Sequence, residues 1–289
     1  MTPRTTLPAA AVADATATAD ATDLTADLTA AEALARLLTP EAVALLDNPI
    51  WAALTGPHAH LAERLGDAAR YPVDVSPFTA LADPADPQGW RDLAALAGPP
   101  GTALPVTATA PDDWEVVEAG QGVQLIATAL RTEPAPEAVL LGLADVPEML
   151  DLVARTKPGP FLPRTVLLGR YLGLREEGRL IAMAGERMRL PGWTEISAVC
   201  TDPDHRGRGL ATRLVRAVAH GIEQRGDRPF LHAAASNTKA IALYESLGFT
   251  LRRRTEFTVV RTPVTVADGG ADDVANGGAN GGADGGARP

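Results

Sequence analysis

The residues best placed to do chemistry are Arg206-Gly207-Arg208-Gly209, which open a helical repeat beginning at Leu210. Apolar side chains at 210, 214, 215, 218 and 222 define one face of that helix, and Gly226 stops it. A helix N-terminus offers unpaired N–H groups and the positive end of the backbone dipole, and the two glycines let backbone approach a ligand closely. Arginines at this end conflict with the dipole unless an anion lies between them, so the segment reads either as a phosphate site or as a strand-to-helix turn that uses glycine for geometry and keeps its arginines solvated. No Gly-Lys-Ser/Thr follows and no G-x-G-x-x-G is present, which excludes a Walker loop and a dinucleotide fingerprint. Asn237 and Tyr244 lie two helical turns apart, with Ala240 between them, and can line a groove.

These residues need a frame. WTEISAVCT (193–201) predicts the strand that leads into the loop, and on strict alternation Glu195 shares a face with Ser197, Val199 and Thr201. Before it come a strand at 138–144, a helix at 146–156 and two strands around Glu177-Gly178. After it come the long helix, the strand FLHAAA, a second helix ending at Gly248 and the strand FTVVRT. Upstream, AEALARLL and HAHLAERLGDAARY predict helices, and WEVV and VQLIAT predict a hairpin around EAGQG. RTEPAP (131–136) suggests a domain boundary.

RGRGLA, 206–211, matches the [QR]-x-x-G-x-[GA] signature, and together with VCTDPDH and NTKAIALYESLGF it resembles the GNAT superfamily of N-acetyltransferases over residues 136–262. The wording EISAVCTDPDHRGRGLA is similar to a bacterial group of predicted acetyltransferases related to glycine N-acyltransferase-like proteins. The resemblance implies an α/β (α+β) fold, a mixed, mostly antiparallel sheet flanked by helices. It also implies acetyl-CoA as cosubstrate, an amine acceptor, and an N-terminal α+β domain (31–130) that is a degenerate copy without an acyl-CoA site. By the same resemblance the amides of Arg206, Gly207, Arg208, Gly209, Leu210 and Ala211 hold the pyrophosphate. Val199, Cys200 and Thr201 form a splayed strand along the pantetheine arm, Asn237 contacts that arm, and Tyr244 protonates the departing thiolate. Glu195 is the expected general base and Glu186 the alternative. A different class, a catalytically silent acyl-CoA-binding regulator, keeps the same loop.

Composition narrows the rest. The single Cys200 excludes an internal disulfide and a thiolate cluster, and the five histidines are scattered, so no metal is expected. Alternation makes Cys200 a small buried residue rather than a nucleophile, and His232 reads as strand packing or a polar tip. Arg252, Arg253 and Arg254 read as a solvated basic turn. The net charge is −10, of which residues 1–30 and 264–289 carry −3 each; the weakly acidic remainder argues against nucleic acid. The two ends, rich in Ala, Thr and Asp and in Gly and Ala, are expected to be disordered tails (1–30 and 264–289). The sequence has neither a membrane-length apolar run nor a basic leader, so a cytoplasmic protein, monomer or homodimer, is expected.

Overall fold

A computed structural model describes residues 30–264; the two expected tails lie almost wholly outside that range. In chain order the elements are α1 (30–37), α2 (Pro40–Asp47), α3 (Pro49–Thr55), β1 (Glu63–Leu65), β2 (Ala68–Arg70), β3 (Thr79–Leu81), α4 (Pro87–Ala97), β4 (Ala103–Val106) and β5 (Glu115–Ala127). They continue with β6 (Val139–Leu141), α5 (Val146–Thr156), β7 (Tyr171–Glu176), β8 (Arg179–Leu190), β9 (Trp193–Thr201), α6 (Leu210–Glu223), β10 (Arg228–Ala234), α7 (Thr238–Leu247) and β11 (Phe249–Arg261).

Eight strands form one sheet in the order β4-β11-β5-β10-β9-β8-β7-β6, antiparallel except for the β9/β10 pair. The two amphipathic helices after β9 cover one face: Leu210, Leu214, Val218 and Ile222 of α6 and Tyr244 and Leu247 of α7 pack on Val123, Leu125, Ala182, Ile196 and Leu231. On the other face α1–α3 pack against Ile126, Met188, Trp193 and Phe230, and α5 against Met183, Ala198 and Cys200. Glu177 and Gly178, both at positive φ, make the tight β7/β8 turn that the sequence predicts. Gly185 is required for a different reason: a Cβ there would lie 2.2 Å from the ring of Tyr171 across the ladder.

Three expectations from the upstream half need correction. WEVV to VQLIAT is not a hairpin. It is the single strand β5, paired along its length with β11 and at its end with β10. Gly120 permits this by making room for the ring of Phe257, which would stand 2.2 Å from a Cβ. HAHLAERLGDAARY is not a helix either; Gly66 at φ +50 turns β1 back on β2. Finally, the boundary expected at 130–136 does not separate two sheets, because β4 and β5 lie in the sheet of the downstream half, β5 between β10 and β11.

Beneath α3, His58 is buried with Nδ1 2.9 Å from the Tyr71 hydroxyl. Burial, aided by neighbouring His60 and Arg189, lowers the His58 pKa to about 4. The unfolded chain therefore takes up this proton first, and stability held above pH 6.5 is lost as pH falls toward 4, by about 3 kcal/mol from this one group. Urea unfolding at pH 7 and pH 4.5 should show a smaller loss in His58→Gln than in the wild type. Parallel losses would mean that His58 does not titrate in this way.

Candidate functional site

The parallel ladder between β9 and β10 contains only Trp193/Arg228, Thr194/Pro229 and Glu195/Phe230. Beyond that root β9 stays with β8 as far as Thr201 and β10 stays with β5 as far as Ala234, so the two strands fork and leave their inner backbone groups without a strand partner. β9 is also bulged. Two of its residues oppose one on β8 between the Gly185/Ser197 and Met183/Cys200 pairs, and Ala198 sits at φ +53. The bulge resets the alternation: Ala198 and Cys200 join the α5 core, while Val199 packs toward α6 and α7. Glu195 therefore does not share a face with Val199 and Thr201, contrary to strict alternation.

At the fork mouth Asp202, buried and paired with Arg155 and Arg179, accepts from the Asp204 N–H and anchors the turn. Gly207 and Gly209 follow at φ 77 and 73, with nothing within 4 Å of where a Cβ would stand. The first bond of α6 runs from Arg213 N to the Gly209 carbonyl at 3.1 Å, and no side chain caps the helix. The N–H groups of Leu210, Ala211 and Thr212 are thus left over by helix geometry. Arg206 is exposed, and its side chain has no partner among the described residues. Arg208 differs from expectation: its guanidinium pairs with Glu176 at 2.8 Å, so a carboxylate of this chain relieves part of the conflict with the dipole.

Tyr244 is buried on α7 with its ring edge-on to Phe249. Burial, with a smaller contribution from the nearby Cys200 thiol, pushes its pKa up to about 12. It stays protonated at neutral pH, and its hydroxyl has no hydrogen-bond partner among the described residues. Asn237 is the cap of α7, its Oδ1 accepting from Ala240 N at 3.2 Å, which occupies its carbonyl and leaves its amide nitrogen. Burial raises the Cys200 thiol to about 11, consistent with a packing role. The Thr201 Oγ1 is buried without a hydrogen-bond partner among the described residues. Open glycines, an uncapped helix start and this orphaned hydroxyl are the features a phosphate-bearing, amide-containing arm would satisfy, so the residues present fit acetyl-CoA.

The two base candidates fare differently. Glu186 is buried on the α6 side and pairs with Arg225 at 2.7 Å. Glu195 is fully buried at the root of the fork, taking a bidentate pair from Arg187 at 2.6 and 2.7 Å and a contact from His232 Nδ1 at 2.8 Å. Burial alone would raise its pKa, but the Arg187 charge and hydrogen bonds, with His232, bring it down to about 2. Such a carboxylate is a poor proton acceptor at neutral pH.

The sequence reading missed His232. It stands on β10 two residues past the last β9/β10 pair, partly exposed, and joins Glu195 across the root. Arg252 to Arg254 are not a turn either. They lie in β11, where a bulge beside Arg252 turns its side chain inward to Gln124 and Asp47. The available signal was a lone Gln in VQLIA and a lone His in FLHA, two polar residues in apolar central strands that must find partners. Among the described residues no group of three or more His, Cys, Asp or Glu converges as a metal site, and no helix is long and apolar enough to cross a membrane.

With this geometry in hand, the chain can be set beside known proteins. Its residues 171–258 match the family model FR47-like protein. A solved GNAT-family structure from Novosphingobium aromaticivorans is 39% identical and superimposes with a TM-score of 0.69, covering 76% of this chain and 99% of its own. The chain belongs to the GNAT superfamily of N-acetyltransferases. The [ribosomal protein bS18]-alanine N-acetyltransferase of Escherichia coli (strain K12) is 31% identical over 140 residues, 46% of this chain and 90% of that protein. The N-alpha-acetyltransferase RimI of Mycobacterium tuberculosis is 38% identical over 90 residues, 29% of this chain and 56% of that one. The GNAT fold expected from the sequence is therefore present, as a mixed sheet flanked by helices.

Proposed function

We propose that this GNAT protein transfers the acetyl group of acetyl-CoA to a primary amine in the β9/β10 fork, and that the acceptor is the α-amine of a polypeptide. The observation that carries the reading is the fork itself, a gap in the sheet that begins at a Glu–His pair and ends at an uncapped helix start. The acceptor class rests on one relative named as a ribosomal-protein alanine N-acetyltransferase and another named as an N-alpha-acetyltransferase.

Acetyl-CoA supplies an activated thioester carbonyl. The loop from Arg206 to Ala211 holds the pyrophosphate through the α6 amides and the Arg206 charge. Backbone groups of Val199, Cys200 and Thr201 align the arm and polarise the carbonyl oxygen, and the Asn237 amide meets the arm at the mouth. His232 takes the proton of the attacking amine at Nε2, and Glu195, already an anion, accepts from Nδ1 and stabilises the imidazolium. As the carbon–sulfur bond breaks, the Tyr244 hydroxyl, which still carries its proton at neutral pH and has no other partner at rest among the described residues, gives that proton to the sulfur.

A thiol-release assay with acetyl-CoA, N-terminal Ala peptides and free small amines tests this. Tyr244→Phe and His232→Ala should each lower kcat about 10²-fold with little change in acetyl-CoA KM. Arg206→Ala should instead weaken CoA binding roughly threefold to tenfold. CoA binding without turnover on any amine would favour the silent acyl-CoA-binding protein, and equal CoA affinity in Arg206→Ala would remove that arginine from the site.

A further inference from the structure

His232 is gripped from both sides. Glu195 on β9 accepts from Nδ1, and Gln124 on β5, directly opposite His232 in the β5/β10 register, lies with Nε2 3.1 Å from its Nε2. The orientation of the Gln124 amide is forced. Arg252, which can only donate, sits 2.7 Å from its Oε1, and the Leu46 carbonyl, which can only accept, lies 2.8 Å from its Nε2. Arg252 is in turn held by Asp47 at 2.7 Å, in the last turn of α2, and Gln124 is itself almost fully buried. The amide therefore donates to His232 Nε2, so the imidazole proton resides on Nδ1 and the lone pair on Nε2.

We propose that Gln124 is a positioning residue that fixes the tautomer of His232 and opposes a proton at its Nε2 in the resting site. The argument rests on the reading of His232 as the proton acceptor. A donor facing Nε2 cannot accept from an imidazolium, so Gln124 disfavours the charged ring that Glu195 favours. The charged and titratable groups around the ring are Glu195 with Arg187 behind it, Arg252 and Asp47 beyond Gln124, and Tyr71 near Glu195. For the ring to take the amine's proton, Nε2 must first part from the Gln124 amide, giving up one neutral hydrogen bond, while Nδ1–H stays on Glu195. Because Leu46 and Asp47 set the amide, the N-terminal helices become part of the site.

Long-range ¹H–¹⁵N correlation of the His232 imidazole in the full chain reads this without any acetyl transfer. The wild type should show the Nδ1–H tautomer at neutral pH. In Gln124→Leu the protonation equilibrium should move roughly threefold to tenfold toward the imidazolium, the equivalent of one lost hydrogen bond. In Gln124→Glu, whose carboxylate would accept from Nε2–H, it should move further, and the acid limb of kcat/KM should rise to higher pH with acetyl-CoA KM within twofold. An Nε2–H tautomer in the wild type, or variants that lose thermal stability while the His232 titration stays in place, would overturn the proposal. If the NMR shifts occur but the kcat/KM limb does not follow, the clamp stands and the assignment of His232 as base fails. Should Gln124→Glu not fold, the wild-type tautomer and Gln124→Leu still decide the matter.

Discussion

A chain beginning at residue 131 should fail to fold, although it contains the whole segment that resembles GNAT proteins. Such a truncation removes β5, which pairs with β11 from Glu115 to Ala127 and with β10 from Gly122 to Ile126. Without it, β10 keeps three paired positions with β9 on one side and nothing on the other. Val123 and Leu125 leave the core under α6 and α7, and the loss of α1–α3 together with Ile126 uncovers Met188, Trp193 and Phe230 on the other face. Backbone groups of two central strands would need water where apolar side chains now surround them. Expression of 131–264 should yield insoluble protein or a chain without a cooperative melting transition. Addition of a peptide spanning 115–127 should not restore it, since Ala103–Val106 also pair with β11. A soluble fragment with a sharp transition and normal CoA binding would show that the downstream half is self-sufficient.

Glu195→Gln should be the most costly single substitution at the site. It leaves the Arg187 guanidinium buried without its counter-ion, a loss of about 3–5 kcal/mol. Glu195→Leu combined with Arg187→Met should recover most of that stability, because replacing both partners of a buried pair with apolar groups is close to neutral. Activity should not recover with it, since His232 then lacks the carboxylate that holds Nδ1–H and stabilises its charge. Chemical denaturation and thiol release on the same three proteins separate the two effects. A double variant that is stable and fully active would remove Glu195 from the mechanism and leave it a structural ion pair.

The downstream half was legible because its signals are local. Helix periodicity from Leu210, the Gly226 stop, the Glu177-Gly178 turn and the Gly248 cap all act within a few residues, and the structure places elements where they point. The Arg/Gly loop was legible for the same reason. What escaped notice depends on partners far apart in sequence. β5 reads as a hairpin because Gly120 and Gly122 look like turn residues, whereas they serve the close approach of Phe257 and Thr255 from β11. The bulge at Ala198, invisible in the alternation of WTEISAVCT, moves Glu195 out of phase with Thr201. His232 becomes a candidate base only once Glu195, 37 residues earlier, and Gln124, 108 residues earlier, are seen beside it.

The most direct measurement is a crystal structure of the full chain with CoA. The diphosphate should lie against the N–H groups at the start of α6 between Gly207 and Thr212, with the pantetheine arm in the β9/β10 gap and the sulfur beside the Tyr244 hydroxyl. Coenzyme A bound at another surface, or that gap closed by side chains while the ligand sits outside it, would contradict the account.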